Sequence, residues 1–300
     1  MAKVHIGMPI YNGEKYVAEA IESILNQTFE DFTLFISDDA SSDASTFIAQ
    51  GYAKKDSRIV YYRQSKNLGM FENFKFVLDM AGAEYFMWMA HDDVREKDYL
   101  KMCVERLNRD KTLGLATTVV TLTDTFGRDL AVENEVQILT GAPGVKQIAR
   151  FIFMAEGLGK ANLMYGLWRT RIAREVWNAY PQRKVWGQDY HVALALISRY
   201  PIYVEKEALF KKRLGGYSSP DLKLQEKRSV KRLSYKERRN RFPFKRFVPY
   251  LIGHREALRG TPYWPLVFIL LLLVLPQSLF AYAKDRNYRK FLRSLFNAIS

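Results

Sequence analysis

The chain has 300 residues, 48% of them hydrophobic and 26% charged, a length that allows about two domains and a substantial buried core. Its single cysteine, Cys103, excludes an intrachain disulfide framework and a cysteine metal cluster. The net charge of +14 is unevenly placed: residues 1–210 hold 25 Lys and Arg against 27 Asp and Glu, and residues 211–300 hold 21 against 5, so an anionic partner is expected for the tail alone.

The opening Met1-Ala2-Lys3-Val4-His5-Ile6 has no signal-peptide architecture, which places the folded body in the cytosol as an expectation. Val4 to Ile10 reads as a first strand that runs through Pro9 into Tyr11-Asn12-Gly13-Glu14. Residues 16–29 set Val17, Ala20, Ile21, Ile24 and Leu25 at helical spacing. Phe32 to Ser37 is the next strand, ending in Asp38-Asp39-Ala40-Ser41-Ser42-Asp43. A helix near 44–55, a strand over Arg58 to Arg63, a turn at Asn67-Leu68-Gly69 and a helix over 70–81 lead to Glu84-Tyr85-Phe86-Met87-Trp88-Met89-Ala90-His91-Asp92-Asp93. This apolar run of strand length stops at two adjacent carboxylates.

The alternation of strands and helices predicts an α/β fold with a mostly parallel, Rossmann-like sheet and right-handed crossovers. Ligands of such sheets collect outside the carboxyl ends of the strands, so two acidic strand ends would face one ligand. Mg²⁺ or Mn²⁺ suits such oxygen donors, because Mg²⁺ is commonly held by one or two carboxylates together with substrate phosphates. Taken alone, Asp92 reads equally well as a helix cap and Asp93 as a solvated acid.

Beyond this half, Leu113 to Leu122 is strand-like, Gly141-Ala142-Pro143-Gly144 marks a turn before a helix to about Met154, and Asn162 to Trp168 is a candidate strand. Val185-Trp186-Gly187-Gln188-Asp189-Tyr190-His191 precedes a helix over 190–199. There Asp189 is either a helix cap or a functional acid, and His191, with apolar helical neighbours, reads as a packing residue.

Pro9-x-Tyr11-Asn12, the Ser37 to Asp43 segment, Asn67-x-Gly69, Ala81-Gly82-Ala83-Glu84-Tyr85 and Asp92-Asp93 resemble, in order and spacing, the successive motifs of the family-2 glycosyltransferases of GT-A fold. The likeness covers about the first 110 residues. It implies a nucleotide-diphosphate-sugar donor, uridine-linked by expectation, transfer with inversion at the anomeric carbon, and a Mn²⁺ or Mg²⁺ cofactor. It further implies that Pro9, Tyr11, Glu14 and Asn67 line the nucleotide pocket, that Asp39 accepts a hydrogen bond from the base, that Asp92 approaches the ribose or donor sugar, and that Asp93 holds the metal. Gln188-Asp189 stands where the family has an acid pair that supplies the catalytic base, with the first acid replaced, which leaves Asp189 as the base. Leu214 stands where a family segment often carries a histidine, so a third protein ligand to the metal is missing. Gln225-Glu226-Lys227-Arg228-Ser229 lacks the tryptophan of the Gln-x-x-Arg-Trp signature of processive synthases, which implies transfer of single residues.

The tail sets the domain plan: residues 1–220 as the nucleotide-sugar-binding and catalytic domain, 221–260 as a basic helical juxtamembrane segment, and 261–300 as a membrane-attachment region. Aromatics among the cations of 222–260 suit RNA or anionic lipid. Thr261 to Ala283 has no charged residue, yet Pro265 and Pro276 leave only Leu266 to Leu275 unbroken. Ten helical residues rise about 15 Å, half of a roughly 30 Å hydrocarbon core. Tyr288, Phe291, Leu292, Leu295, Phe296 and Ile299 recur at helical spacing among cations, the pattern of an interfacial helix. These features predict a membrane-associated enzyme with its catalytic domain on the cytoplasmic side, an anionic membrane surface as partner of 222–300, a lipid-linked or other glycan acceptor, and no nucleic-acid partner. Weighed beside it are a non-catalytic RNA- or lipid-binding adaptor on a degenerate α/β domain and a single-pass transferase with a soluble acceptor. A nucleotidyltransferase would want a Gly-rich basic loop after the first strand, which Pro9-Ile10-Tyr11-Asn12-Gly13 lacks.

Overall fold

A computed structural model describes residues 2–154, 159–179, 187–215 and 247–266. The expected parallel half is present: β1 (Val4–Ile10), α1 (Val17–Leu25), β2 (Phe32–Asp38), α2 (Ser45–Ala53), β3 (Ile59–Arg63), α3 (Met70–Asp79) and β4 (Tyr85–Trp88). These four strands pair in parallel in the order β3-β2-β1-β4. Strand alternation sends Tyr85 and Met87 into one core, together with Val4, Ile6 and Met8, and Phe86 and Trp88 into the other. Helices cover both faces, with α1, α2 and α4 (Tyr99–Arg109) on one side and α3, α5 (Val145–Phe153), α6 (Thr170–Ala179) and α7 (Gln188–Ile197) on the other.

The second half departs from the alternating plan. The sheet continues as β4-β8-β6-β9-β5, with β5 (Val94–Arg95), β6 (Leu115–Thr123), β8 (Leu167–Arg169) and β9 (Ile202–Arg213), while β7 (Asp129–Glu133) pairs with β6 alone. Both β4 and β6 run antiparallel to β8. The strand expected over Asn162 to Trp168 is mostly a 3-10 helix, Lys160–Tyr165, and only its end enters β8. Gly159, at φ 76°, starts that turn, and its carbonyl accepts the Asn162 N–H at 2.8 Å. The first four residues of the expected strand are thus taken up by this turn before the chain extends into β8. The twelve-residue β9 has no clear apolar signal, since Glu205-Lys206-Glu207 interrupts it. Its pairing with β6 supplies the order, and its far end pairs Val94 with Lys211 and Arg95 with Phe210.

The segment expected to be a basic juxtamembrane stretch contributes α8 (Phe247–Leu258) to the domain core. Leu251, Ala257 and Leu258 are buried in the same cluster as α7. No helix among the described residues is long and apolar enough to cross a membrane. The Gln225 to Ser229 segment, the aromatics Tyr235, Phe242 and Phe244, and the attachment region from 267 to 300 lie outside the described residues.

Candidate active site

The site forms where β1, β2 and β4 end. Beyond β1, Asn12 turns at φ 48° and its Oδ1 accepts the Ser42 N–H at 2.8 Å, while the Gly13 N–H donates to Ser45 Oγ at 2.7 Å. Gly13 admits no side chain, since a Cβ there would stand 2.3 Å from Cδ2 of His91. His91 is a buried strut whose ring donates to the Pro9 carbonyl, and burial lowers its pKa. The Glu14 carboxylate accepts the Ala44 N–H at 2.8 Å beside the start of α2, and Glu14 is not among the residues lining the cavity.

The acids that end β2 divide their work. Asp38 is fully buried and accepts from Ser41 N at 2.8 Å, Thr46 Oγ1 at 2.5 Å and Tyr61 Oη at 2.8 Å. Burial acts to raise its pKa, but the hydrogen bonds from Thr46, Ser41 and Tyr61 prevail and lower it. Asp39 accepts the N–H groups of Leu68 and Gly69 at 2.6 and 3.0 Å and faces the cavity. That cavity, about 240 Å³, is also lined by Pro9, Tyr11, Asn67, Phe74, Asp92 and Tyr165. The expected Pro9, Tyr11, Asp39, Asn67 and Asp92 are thereby brought together.

Asp93 lies behind this surface. Its Oδ1 accepts the Arg213 N–H at 3.1 Å, and Arg213 Nε donates to the Asp92 carbonyl at 3.1 Å. Arg213 also pairs with Glu19 of α1. Burial first, and then the charge of Asp92, raise the Asp93 pKa against the opposing charges of Lys212 and Arg95.

Asp189 sits in the first turn of α7, one residue inside the helix start, and its Oδ1 accepts its neighbour Tyr190's N–H at 3.0 Å. Its residue keeps partial exposure, yet the protein around the carboxyl is dense enough that burial raises its pKa, with Lys212 opposing. Tyr165 joins the two halves. Burial raises its pKa, and the charges of Asp189, Asp93 and Asp92 add to the shift. Lys212 Nζ donates to Asn162 Oδ1 at 2.7 Å and lies 5.8 Å from the centroid of that ring. Sequence reasoning placed Asn162 and Tyr165 in a strand facing the acceptor cleft and gave neither a role of its own; the structure sets them in a 3-10 helix.

The donor set fits a divalent cation only in part. Among the described residues no group of three or more His, Cys, Asp or Glu could enclose a metal. Asp92 and Asp93 are, however, adjacent, buried and mutually repelling acids beside an open cavity. Two carboxylates alone would leave a cation to take its remaining oxygens from substrate phosphates.

Residues 5–159 match the model described as glycosyl transferase family 2, and the chain belongs to that family. An uncharacterised glycosyltransferase of Haemophilus influenzae is 25% identical over 218 residues, 69% of this chain and 64% of its own length. One of Rickettsia typhi is 33% identical over 106 residues, 35% of this chain and 32% of its own. The minor teichoic acid biosynthesis protein GgaB of Bacillus subtilis is 39% identical over 89 residues, 29% of this chain and 10% of that protein. The chain thus covers less than two thirds of these curated relatives. In fold it is similar to S. aureus TarS 1–349 in complex with UDP-GlcNAc, at a TM-score of 0.63 and 16% identity over 99% of this chain and 79% of that one. The mannosyltransferase PcManGT of Pyrobaculum calidifontis, in complex with GDP-Man and Mn²⁺, gives 0.52 and 12% over 99% and 85%. The fold is GT-A.

Proposed function

We propose that the chain transfers a sugar, with inversion, from a nucleotide-diphosphate sugar to a hydroxyl of a membrane-associated, lipid-linked saccharide in cell-surface glycan synthesis. The observation that carries this reading is the cavity at the ends of β1, β2 and β4, lined by Pro9, Tyr11, Asp39, Asn67, Asp92 and Tyr165, in a chain of glycosyl transferase family 2. Pro9, Tyr11 and Asn67 line the nucleoside part, where the Tyr11 ring offers a stacking face. Asp39 has lone pairs left to accept from the imide N–H of uracil, which favours a uridine-linked donor. The two neighbouring folds hold uridine and guanosine donors respectively. Asp92 faces the donor sugar.

Asp189 is the general base. A sugar hydroxyl attacks poorly until its proton leaves during bond formation, and a carboxylate placed across the anomeric carbon from the diphosphate takes that proton. A pKa above the ordinary carboxylate range makes it a stronger base. As the glycosidic bond breaks, negative charge grows on the diphosphate, and Lys212 lies close enough to Asp93 and Asp189 to share in balancing it. A Mn²⁺ or Mg²⁺ held by Asp93, with Asp92 beside it, would act as a Lewis acid on the leaving diphosphate.

The membrane part rests on the sequence of 261–300 and the charge of 222–300. An enzyme held at the cytoplasmic leaflet searches less volume for a lipid-borne acceptor. A thermal-shift screen of nucleotide sugars with Mn²⁺ tests the donor reading: UDP sugars should raise the melting temperature by mass action. A shift with no nucleotide sugar, and no release of nucleoside diphosphate from any, would overturn it.

A further inference from the structure

α8 lies outside the family match of residues 5–159, yet it packs on α7, the helix that carries Asp189. Two contacts pin the pair. Near the start of α7, a Cβ on Gly253 would stand 1.9 Å from Cε1 and 2.1 Å from Nε2 of His191, so the α8 backbone rests directly on that imidazole. His254 meets the same ring edge-on, with centroids 5.2 Å apart, and both histidines are fully buried. Just past the end of α7, Arg199 donates to the carbonyls of Ala257 at 2.8 Å and Arg259 at 2.7 Å. The same guanidinium donates to the Ala195 carbonyl within α7 at 3.0 Å. Arg199 therefore satisfies carbonyls at the end of α8 that its own helix leaves unpaired.

We propose that α8 is a positioning element for the base: Gly253, seated on His191, and Arg199, clasping the end of α8, hold α7 so that Asp189 faces the donor site. The proposal rests on Asp189 acting as the base. His191 is two residues from Asp189, so a shift of its ring moves the first turn of α7. The donor cavity is lined by residues from 9 to 92 and by Tyr165, with none from α8. Disturbing α8 should therefore impair the acceptor step and spare nucleotide binding.

The test uses the full chain and four variants, with UDP in the presence of Mn²⁺ as the binding probe and transfer from the active UDP sugar as the kinetic one. A misplacement of about 1 Å can cost roughly 10²-fold in rate. Gly253→Ala is expected to lower kcat by roughly 10- to 10²-fold while UDP affinity stays within about twofold. The double variant Gly253→Ala with His191→Ala, which removes the ring that the methyl strikes, should regain part of the loss seen in Gly253→Ala. Arg199→Met, which leaves Gly253 intact, should lower kcat with the same UDP affinity, and it carries the test if Gly253→Ala does not fold. Near-normal kcat in both single variants while Asp189→Asn is inactive would overturn the positioning role and leave the base assigned. UDP affinity falling in step with kcat would reduce α8 to general packing and also overturn it. Normal transfer by Asp189→Asn would instead overturn the functional reading itself.

Discussion

At the scale of single residues, the three acids differ by surroundings and not by type. Asp189→Asn keeps the shape and removes the proton acceptor, so kcat should fall by roughly 10²-fold or more with little change in nucleotide affinity. Because burial raises the Asp189 pKa, the acid limb of the wild-type pH profile should lie above the ordinary carboxylate range: the base works only when ionised, and activity is lost as pH falls through that raised value. An acid limb at about pH 4 would argue against Asp189. Asp93→Ala should weaken Mn²⁺-dependent nucleotide binding more than it lowers the melting temperature, and excess chelator should abolish transfer. Transfer that persists in chelator would assign the leaving-group charge to Lys212 alone. Asp38 behaves oppositely to Asp189, because its folded pKa is lowered. Its stabilising contribution is present above the unfolded carboxylate value and is lost as pH falls through the folded one. Asp38→Asn should therefore cost about 1–3 kcal/mol at neutral pH and flatten the acid side of the stability curve.

At the scale of elements, the acid loop after β4 is held by a strand far away in sequence. β9 delivers Arg213, whose backbone N–H and Nε reach Asp93 and Asp92, whose Nη1 donates to the Asp124 carbonyl at 3.3 Å, and whose ring partner is Tyr16 at 4.5 Å. Arg213→Met keeps an unbranched apolar stem but removes the guanidinium that donates to the Asp92 and Asp124 carbonyls and to Glu19. Nucleotide affinity should drop several-fold and the melting temperature should fall together with it, measured by calorimetry and thermal shift. Unchanged affinity would show that the loop holds its shape through β4 and His91. His91 and Gly13 form the other brace: the imidazole fills the space that any side chain at 13 would need.

At the scale of the whole molecule, α8 and Leu266, which packs partly on the core, belong to the described fold, so the membrane attachment proposed above is tested by removing only residues after Leu266. Removing 267–300 should yield a protein that still binds UDP, since every residue lining the cavity precedes 166. Transfer to a membrane-embedded acceptor should fall much further than donor hydrolysis, because only transfer depends on residence at the lipid surface. If the proposed attachment holds, high salt should loosen the full chain from anionic vesicles only partly, since it screens cations such as Lys284 and Arg289 but not the apolar sequence between Leu266 and Pro276. A cysteine introduced at Ser300 should resist an impermeant reagent applied to intact cells. Labelling from outside would replace monotopic attachment with a spanning helix.

The amino-acid sequence by itself determined the parallel half and its acidic edge. Strand periodicity in Val4 to Ile10 and Tyr85 to Trp88, helix periodicity from Val17 to Ile24, and polar residues at the strand ends are local signals, each readable within about ten residues. That Pro9, Tyr11, Asp39, Asn67 and Asp92 gather around one cavity follows from those local signals, as does the helix that opens with Gln188-Asp189. Where the Glu14 carboxylate lies depends on where the next helix starts, which no local signal gives. Only the tertiary structure decided that β9 and β5 pair across more than a hundred residues, that Arg213 reaches Asp92 and Asp93 and Lys212 reaches Asn162 beside Tyr165, and that α8 packs on α7. These arrangements come from hydrogen bonds and burial between segments distant in the chain, and no local pattern of charge or hydrophobicity encodes which partner a distant segment will meet.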